Sequence, residues 1–156
     1  KTNAGMGSLY RSQHEFIFVF KNGKASHLNN VQLGKFGRNR SNVWSYAGMN
    51  TFGKERDETL ALHPTVKPTE MIADALQDAS NRGDVVLDGF LGSGTTLLAA
   101  EQTGRIAYGC EIDPRYVEVA IERFRKVSDA PVIHVGSGMD FDDLKAERSV
   151  GASRDE

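Results

Sequence analysis

Apolar positions along the chain fall into stretches with different periods. In 15-EFIFVFKNG-23, Phe16, Phe18 and Phe20 alternate with Ile17 and Val19, and Asn22-Gly23 supplies a turn. Strand-favouring side chains on both faces predict a well-covered strand. Residues 21–62 then carry no period. They are rich in Gly, Asn, Ser and basic residues, with Phe36, Trp44, Tyr46 and Phe52 scattered among them. So long an irregular stretch in a compact domain is functional or disordered. From Pro64 the order returns. In 68-PTEMIADALQDA-79, Met71, Ile72, Ala75, Leu76 and Ala79 share one helical face, with Pro68 at the first helical position and Glu70 in the first turn. Gly83 closes that segment, and 85-VVLD-88 is wholly apolar up to its closing aspartate, as central parallel strands are. A helix over 95–102 is stopped by Gly104, a second strand runs over 106–111, and 114-PRYVEVAIERFRKV-127 places Val117, Ala120, Ile121, Phe124 and Val127 on one face of a third helix. A last strand is expected at 131-PVIHV-135, before a frayed, polar acidic tail. Strand, glycine turn, helix, strand, helix is the opening of a doubly wound α/β sheet.

Composition sharpens this picture in three ways. The 156 residues suit one domain with a real core, and no apolar run approaches the ~20 residues of a membrane span. The single cysteine, Cys110, excludes a disulfide within the chain; it suits a reducing cytoplasm and is expected to be buried and structural. The net charge of −2 conceals an asymmetry: residues 1–70 carry ten Lys and Arg against five Asp and Glu, and residues 71–156 nine against sixteen. A basic half suggests contact with a polyanion. Cations and flat rings within residues 24–62 are what a nucleic-acid contact loop uses, although a solvated loop pinned by a few aromatics has the same composition. The opening KTNAGMGSLY, without an initiator methionine or an apolar leader, reads as a cut into a longer protein.

The chemistry concentrates in 84-DVVLDGFLGSGTTLLAAEQTGRIAYGCEIDPRY-116, where three templates compete. The phosphate-loop pattern fits 89-GFLGSGTT-96 except that Thr95 replaces the lysine that meets terminal phosphates. The dinucleotide pattern fits Gly92 and Gly94 and then meets Leu97 where its third glycine belongs. The methyl-donor pattern DxFxGxG fits Asp88, Phe90, Gly92 and Gly94 without a gap. S-adenosyl-L-methionine carries a sulfonium and an amino group, so a strand-end carboxylate suits it and an anion cradle does not. Glycines admit close backbone approach, and Glu111, 19 residues beyond Gly92, can accept from both ribose hydroxyls.

With 63-HPTVKPTEMI-72, 86-VLDGFLGSGTT-96 and 108-YGCEIDPRYVEVA-120, the chain resembles the amino-specific DNA methyltransferases, which act on adenine N6 or cytosine N4. The order is that of their β class, in which the donor half follows the catalytic half. The resemblance implies a Rossmann-like, doubly wound S-adenosyl-L-methionine-dependent fold with an incomplete sheet. It implies that His63, Thr65, Lys67 and Pro68 line the donor pocket, and that Asp88, Gly89, Phe90, Gly92, Ser93, Gly94, Thr95 and Thr96 hold the methionine and ribose. Glu111 would take the ribose, with Asp113 and Tyr116 beside the adenine. The Lys67 ammonium is expected on a carboxylate or on DNA, since a further charge beside a cationic ligand serves nothing. Residues 1–23 would end the catalytic half, with His14 and Glu15 opening its last strand. Residues 24–62 would be the target-recognition segment, with Lys35, Arg38, Arg40, Trp44 and Lys54 as DNA contacts. Residues 63–136 would form the donor subdomain and 137–156 a polar tail.

One departure bears on activity. Transfer to an exocyclic amine in this family uses a [DNS]PP[YFW] motif, and no two of Pro64, Pro68, Pro114 and Pro131 adjoin. No catalytic residue is therefore assigned within the chain, and no metal is expected. The expectation is a portion that binds donor and double-stranded DNA in a restriction–modification setting but does not methylate alone. With sheet neighbours missing, it is expected to dimerise or to lean on an N-terminal catalytic half. A methyltransferase acting on RNA or a small molecule, a nucleotide-binding ATPase fragment and a non-enzymatic DNA-binding module remain as rivals.

Overall fold

The structure, a computed structural model, describes residues 8–46 and 66–152. The chain divides into two units, Lys1–Phe124 and Arg125–Glu156. In the first, helix α1 (Thr69–Ala79) is followed by β1 (Val85–Asp88), α2 (Thr95–Thr103), β2 (Ile106–Gly109) and α3 (Pro114–Arg125). The strands are parallel and in register from Val85 opposite Ile106 to Asp88 opposite Gly109. This is the strand–turn–helix–strand unit that the periodicity predicts, reduced to two strands among the described residues.

The core sits on α2. Leu98, Ala99 and Ala100 are buried there, with Ala73 of α1, Ala120 of α3 and Val66 ahead of α1. Alanine is the common element. A methyl side chain lets α1 and β2 approach α2 closely, so the helices are held by small contacts summed over area rather than by large side chains. Gly94 (φ 81°) and Gly104 (φ 69°) bracket α2 in the left-handed region, where only glycine sits without strain.

One face of the sheet is uncovered. Val85, Leu87, Ile106 and Tyr108 are exposed, while Val86 and Ala107, pointing the other way, are half-buried. The apolar run 85–88 was expected to be buried on both faces, and only the α2 side is. Cys110 likewise corrects an expectation: it lies beyond the end of β2 and is exposed.

The expected strand at 16–20 does not form. Phe16, Phe18 and Phe20 are exposed, at 77%, 75% and 88%. The chain there is nonetheless extended, since consecutive rings lie 6.2 and 6.5 Å apart, about two residues of strand rise. What it lacks is a hydrogen-bonded neighbour among the described residues, and a strand exists only as a partner in a ladder. In the second unit, 131–135 supplies one antiparallel bridge, Ile133 to Asp140, instead of a strand. The tail expected to fray is instead helix α4 (Phe141–Ala152), with Asp142 and Asp143 in its first turn, where the helix dipole favours acid.

Candidate functional site

The glycine turn leaves the carboxyl end of β1 and is fixed by two carboxylates and one arginine. Asp88 turns both oxygens into it: Oδ1 accepts from the Phe90 N–H (3.0 Å) and Oδ2 from the Thr96 hydroxyl (2.6 Å). Glu111, two residues beyond the end of β2 and so outside the strand expected over 106–111, closes it, accepting from Gly92 N–H at Oε2 (2.8 Å) and from Asp113 N–H at Oε1 (2.9 Å). Bonds from the Asp113 and Gly92 amides hold the Glu111 carboxyl below the usual carboxylate range, so it is ionised at neutral pH. The Ile112 amide adds a third such bond, so of the four acceptor sites on the two oxygens one remains for a ligand. The turn is also stitched to the chain beyond β2, because Leu91 N–H donates to Cys110 C=O and Cys110 N–H to Asp88 C=O, both at 2.9 Å.

Behind the turn stands Arg123 of α3, absent from the residues expected at the site. It donates to the carbonyl and hydroxyl of Ser93 and to the Thr95 hydroxyl. Burial lowers its pKa from the ordinary value. Ser93 and Thr95 are buried, so their hydroxyls serve Arg123 rather than an open pocket. The signal for this was in the sequence: Arg123 stands three residues from Ala120, one turn along the same apolar face of α3. Ala120 also sets the fit at Gly94, where a Cβ would stand 2.7 Å from the Ala120 methyl. Gly94 thus serves helix packing and backbone φ, not only approach to a ligand. On the outer side Phe90 and Ile112 are almost wholly exposed.

Asp113 is a helix cap. Its Oδ1 accepts from Arg115 N–H (2.9 Å), and its carboxylate pairs with the Arg115 guanidinium at 2.6 Å, which holds its pKa low. Tyr116, half-buried, follows on the first turn of α3. Pro68 stands at the N-cap position of α1. Lys67 pairs with Glu15 at 2.8 Å, a carboxylate contact of the kind expected for it. Glu15 thereby ties the segment before Phe16 to Lys67, just ahead of α1. His63, Thr65 and Lys54 lie outside the described residues.

The DNA-contact expectations meet a different geometry. Arg38 and Arg40 clasp α1 instead of standing free. Arg38 pairs with Asp74 (3.2 Å) and Asp78 (2.8 Å), and Arg40 with Asp74 (2.7 Å) and Asp78 (3.1 Å). The Tyr46 hydroxyl donates to Asp74 (2.5 Å), and Trp44 lies under the Arg40 guanidinium at 5.0 Å. Burial opposes the Arg40 charge, but Tyr46, Asp74 and Asp78 outweigh it and raise its pKa. Asn30 adds a cap to the end of α1 through the carbonyls of Gln77 (3.0 Å) and Ser80 (2.9 Å). Lys35 is exposed, its ammonium 5.6 Å from the Phe36 ring. The segment is therefore pinned by arginines and aromatics as far as Tyr46. No helix of the described residues is long and apolar enough to cross a membrane, and no cluster of metal ligands is found among them.

The family model described as DNA methylase, for the N6/N4 methyltransferases, matches residues 1–122. The type II methyltransferase M.HpaI of Haemophilus parainfluenzae is 38% identical over 96 residues, 62% of this chain and 28% of that protein. M.HinfI of Haemophilus influenzae is 34% identical over 122 residues, 76% of this chain and 31% of that protein. The chain thus spans less than a third of the length of these two relatives. Among solved structures, a DNA modification methylase of Thermus thermophilus complexed with S-adenosyl-L-methionine is 48% identical, over 41% of this chain and 27% of that one, with a TM-score of 0.40. On the strength of the family match over residues 1–122, the chain belongs to the N6/N4 DNA methylase family.

Proposed function

We propose that this chain is the donor-binding portion of a DNA amino methyltransferase, holding S-adenosyl-L-methionine on the turn between β1 and α2. The observation that carries the reading is the pair of carboxylates at the carboxyl end of the sheet, Asp88 and Glu111, around a lysine-free glycine turn, with Glu111 ionised and an acceptor site still open on it. That donor set fits the cofactor. Glu111 would accept from the ribose hydroxyls, Asp88 would hold the turn and place negative charge near the donor's cationic end, and Tyr116 and Asp113 would border the adenine. When bound, the cofactor supplies an electrophilic methyl group. The chain's own part is positioning: Arg123 fixes Ser93 from behind, Asp88 fixes Thr96, and Glu111 fixes Gly92, so the turn is formed before a ligand arrives.

The target is an adenine N6 or cytosine N4 of duplex DNA, and Lys35 and Lys54 are the residues of segment 24–62 offered to its phosphates, with Trp44, Arg38 and Arg40 shaping that segment. The amine-binding tetrapeptide would come from a catalytic half outside this chain. Work in the cytoplasm, within a restriction–modification system, accords with the reading. Calorimetry with S-adenosyl-L-methionine, NAD and ATP side by side tests it. Only the first is expected to bind, with Glu111→Ala weakening it about tenfold or more, as loss of a bidentate charged contact does. Tighter binding of ATP or NAD overturns the reading. Methyl transfer to DNA by the 156-residue chain alone is expected to be absent, and steady turnover would place the catalytic groups within it.

A further inference from the structure

At the opposite end of the sheet from the donor turn, three arginines converge on a pocket of about 440 Å³. Arg82 precedes β1, Arg105 immediately precedes β2, and Arg38 arrives from the segment clasped to α1. The amides of Asn30, Gln77 and Gln102 and the Thr103 hydroxyl complete the polar lining, which contains no acidic residue.

The three cations are not equivalent. Arg38 is answered by Asp74 and Asp78. Arg105 is spent partly on structure, donating to the carbonyls of Thr103 and Ser80 and to the Ser80 hydroxyl. Those bonds answer carbonyls at the ends of two helices, and a purely structural pocket would need nothing more. Arg82 does not fit that account. It makes no hydrogen bond or ion pair among the described residues, yet its guanidinium lies on the bare backbone of Gly104, where a Cβ would stand 2.7 Å from Nη2 and 2.9 Å from Cζ. Burial lowers the Arg105 pKa, the Arg82 charge lowers it further, Asp84 opposes and Arg38 adds to the repulsion.

We infer that this pocket binds a phosphate oxyanion, with Arg82 as its principal donor and Arg38, Arg105, Gln77 and Gln102 completing the shell. Convergent guanidinium donors beside neutral amides match the acceptor-only chemistry of a phosphate. The anion is either free inorganic phosphate or a phosphodiester of duplex DNA, and the same contacts recognise both.

The test titrates the 156-residue chain with inorganic phosphate and, separately, with a short DNA duplex, following the Arg82 Nε and the Gln77 and Gln102 side-chain amides by NMR. A saturable shift with phosphate assigns a free-anion site. A shift with duplex alone assigns the DNA backbone, and its salt dependence should then fall by about one released counterion in Arg82→Gln. In either case Arg82→Gln is expected to weaken binding about tenfold, while Lys145→Gln on α4 leaves it unchanged. No saturable shift with either probe, or equal weakening by both substitutions, overturns the site. Neither probe is a methyl donor, so failure here leaves the donor reading intact.

Discussion

Two residues decide how the glycine turn behaves. Gly94 is required twice, by its φ of 81° and by the Ala120 methyl against it. Gly94→Ala is expected to destabilise the chain by about 2 kcal/mol, combining left-handed strain with a forced shift of α3, as urea denaturation would register. Glu111 gives the pH response. Its folded pKa lies below its ordinary value of 4.5, so its stabilising bonds are fully present above pH 4.5 and are lost as pH falls through the lower folded value. Acid titration of stability should therefore show a loss below pH 4.5 that is shallower in Glu111→Gln. Asp88, Glu111 and the glycine spacing were legible in the sequence because each is a fixed position of the template. Arg123 was legible only as a cation on the apolar face of α3; its partners, the carbonyl and hydroxyl of Ser93, lie 30 residues away, and no local spacing announces such a pair.

At the scale of elements, helices were read well where an apolar stripe is regular, as in α1 and α3, although on α3 only Ala120 is buried. α4 was missed because its few apolar positions do not line one face, while its acidic first turn is a weaker signal. The strand at 16–20 was misread for the opposite reason: its side chains are right, but strand formation depends on a partner that periodicity cannot supply. The clasp of segment 30–46 on α1 shows a third limit. Arginines and aromatics in an irregular stretch look alike whether they await a ligand or hold a helix, and the pairing of Arg38 and Arg40 with Asp74 and Asp78, four residues apart on α1, is not written in the segment itself. Asp74→Ala removes the acceptor of Tyr46, Arg40 and Arg38 together. It is expected to cost about 2–3 kcal/mol and to release Trp44, which its fluorescence would report as a shift to the red.

For the whole molecule, the two-stranded sheet sets the limits. α2 covers one side, and Val85, Leu87, Ile106 and Tyr108 face water on the other. Burying one such side chain contributes about 1.5–3 kcal/mol, so this uncovered face forgoes stabilisation comparable to the entire folding free energy of a small domain. Any surface that settles there, a second copy or a catalytic half, contributes to the fold as well as to assembly. The consequence is mass action on the melting curve: the thermal midpoint of this chain should climb with its own concentration, and Leu87→Lys should flatten that climb. How firmly the glycine turn after β1 is held is then a property of how much protein, or which partner, is in the tube.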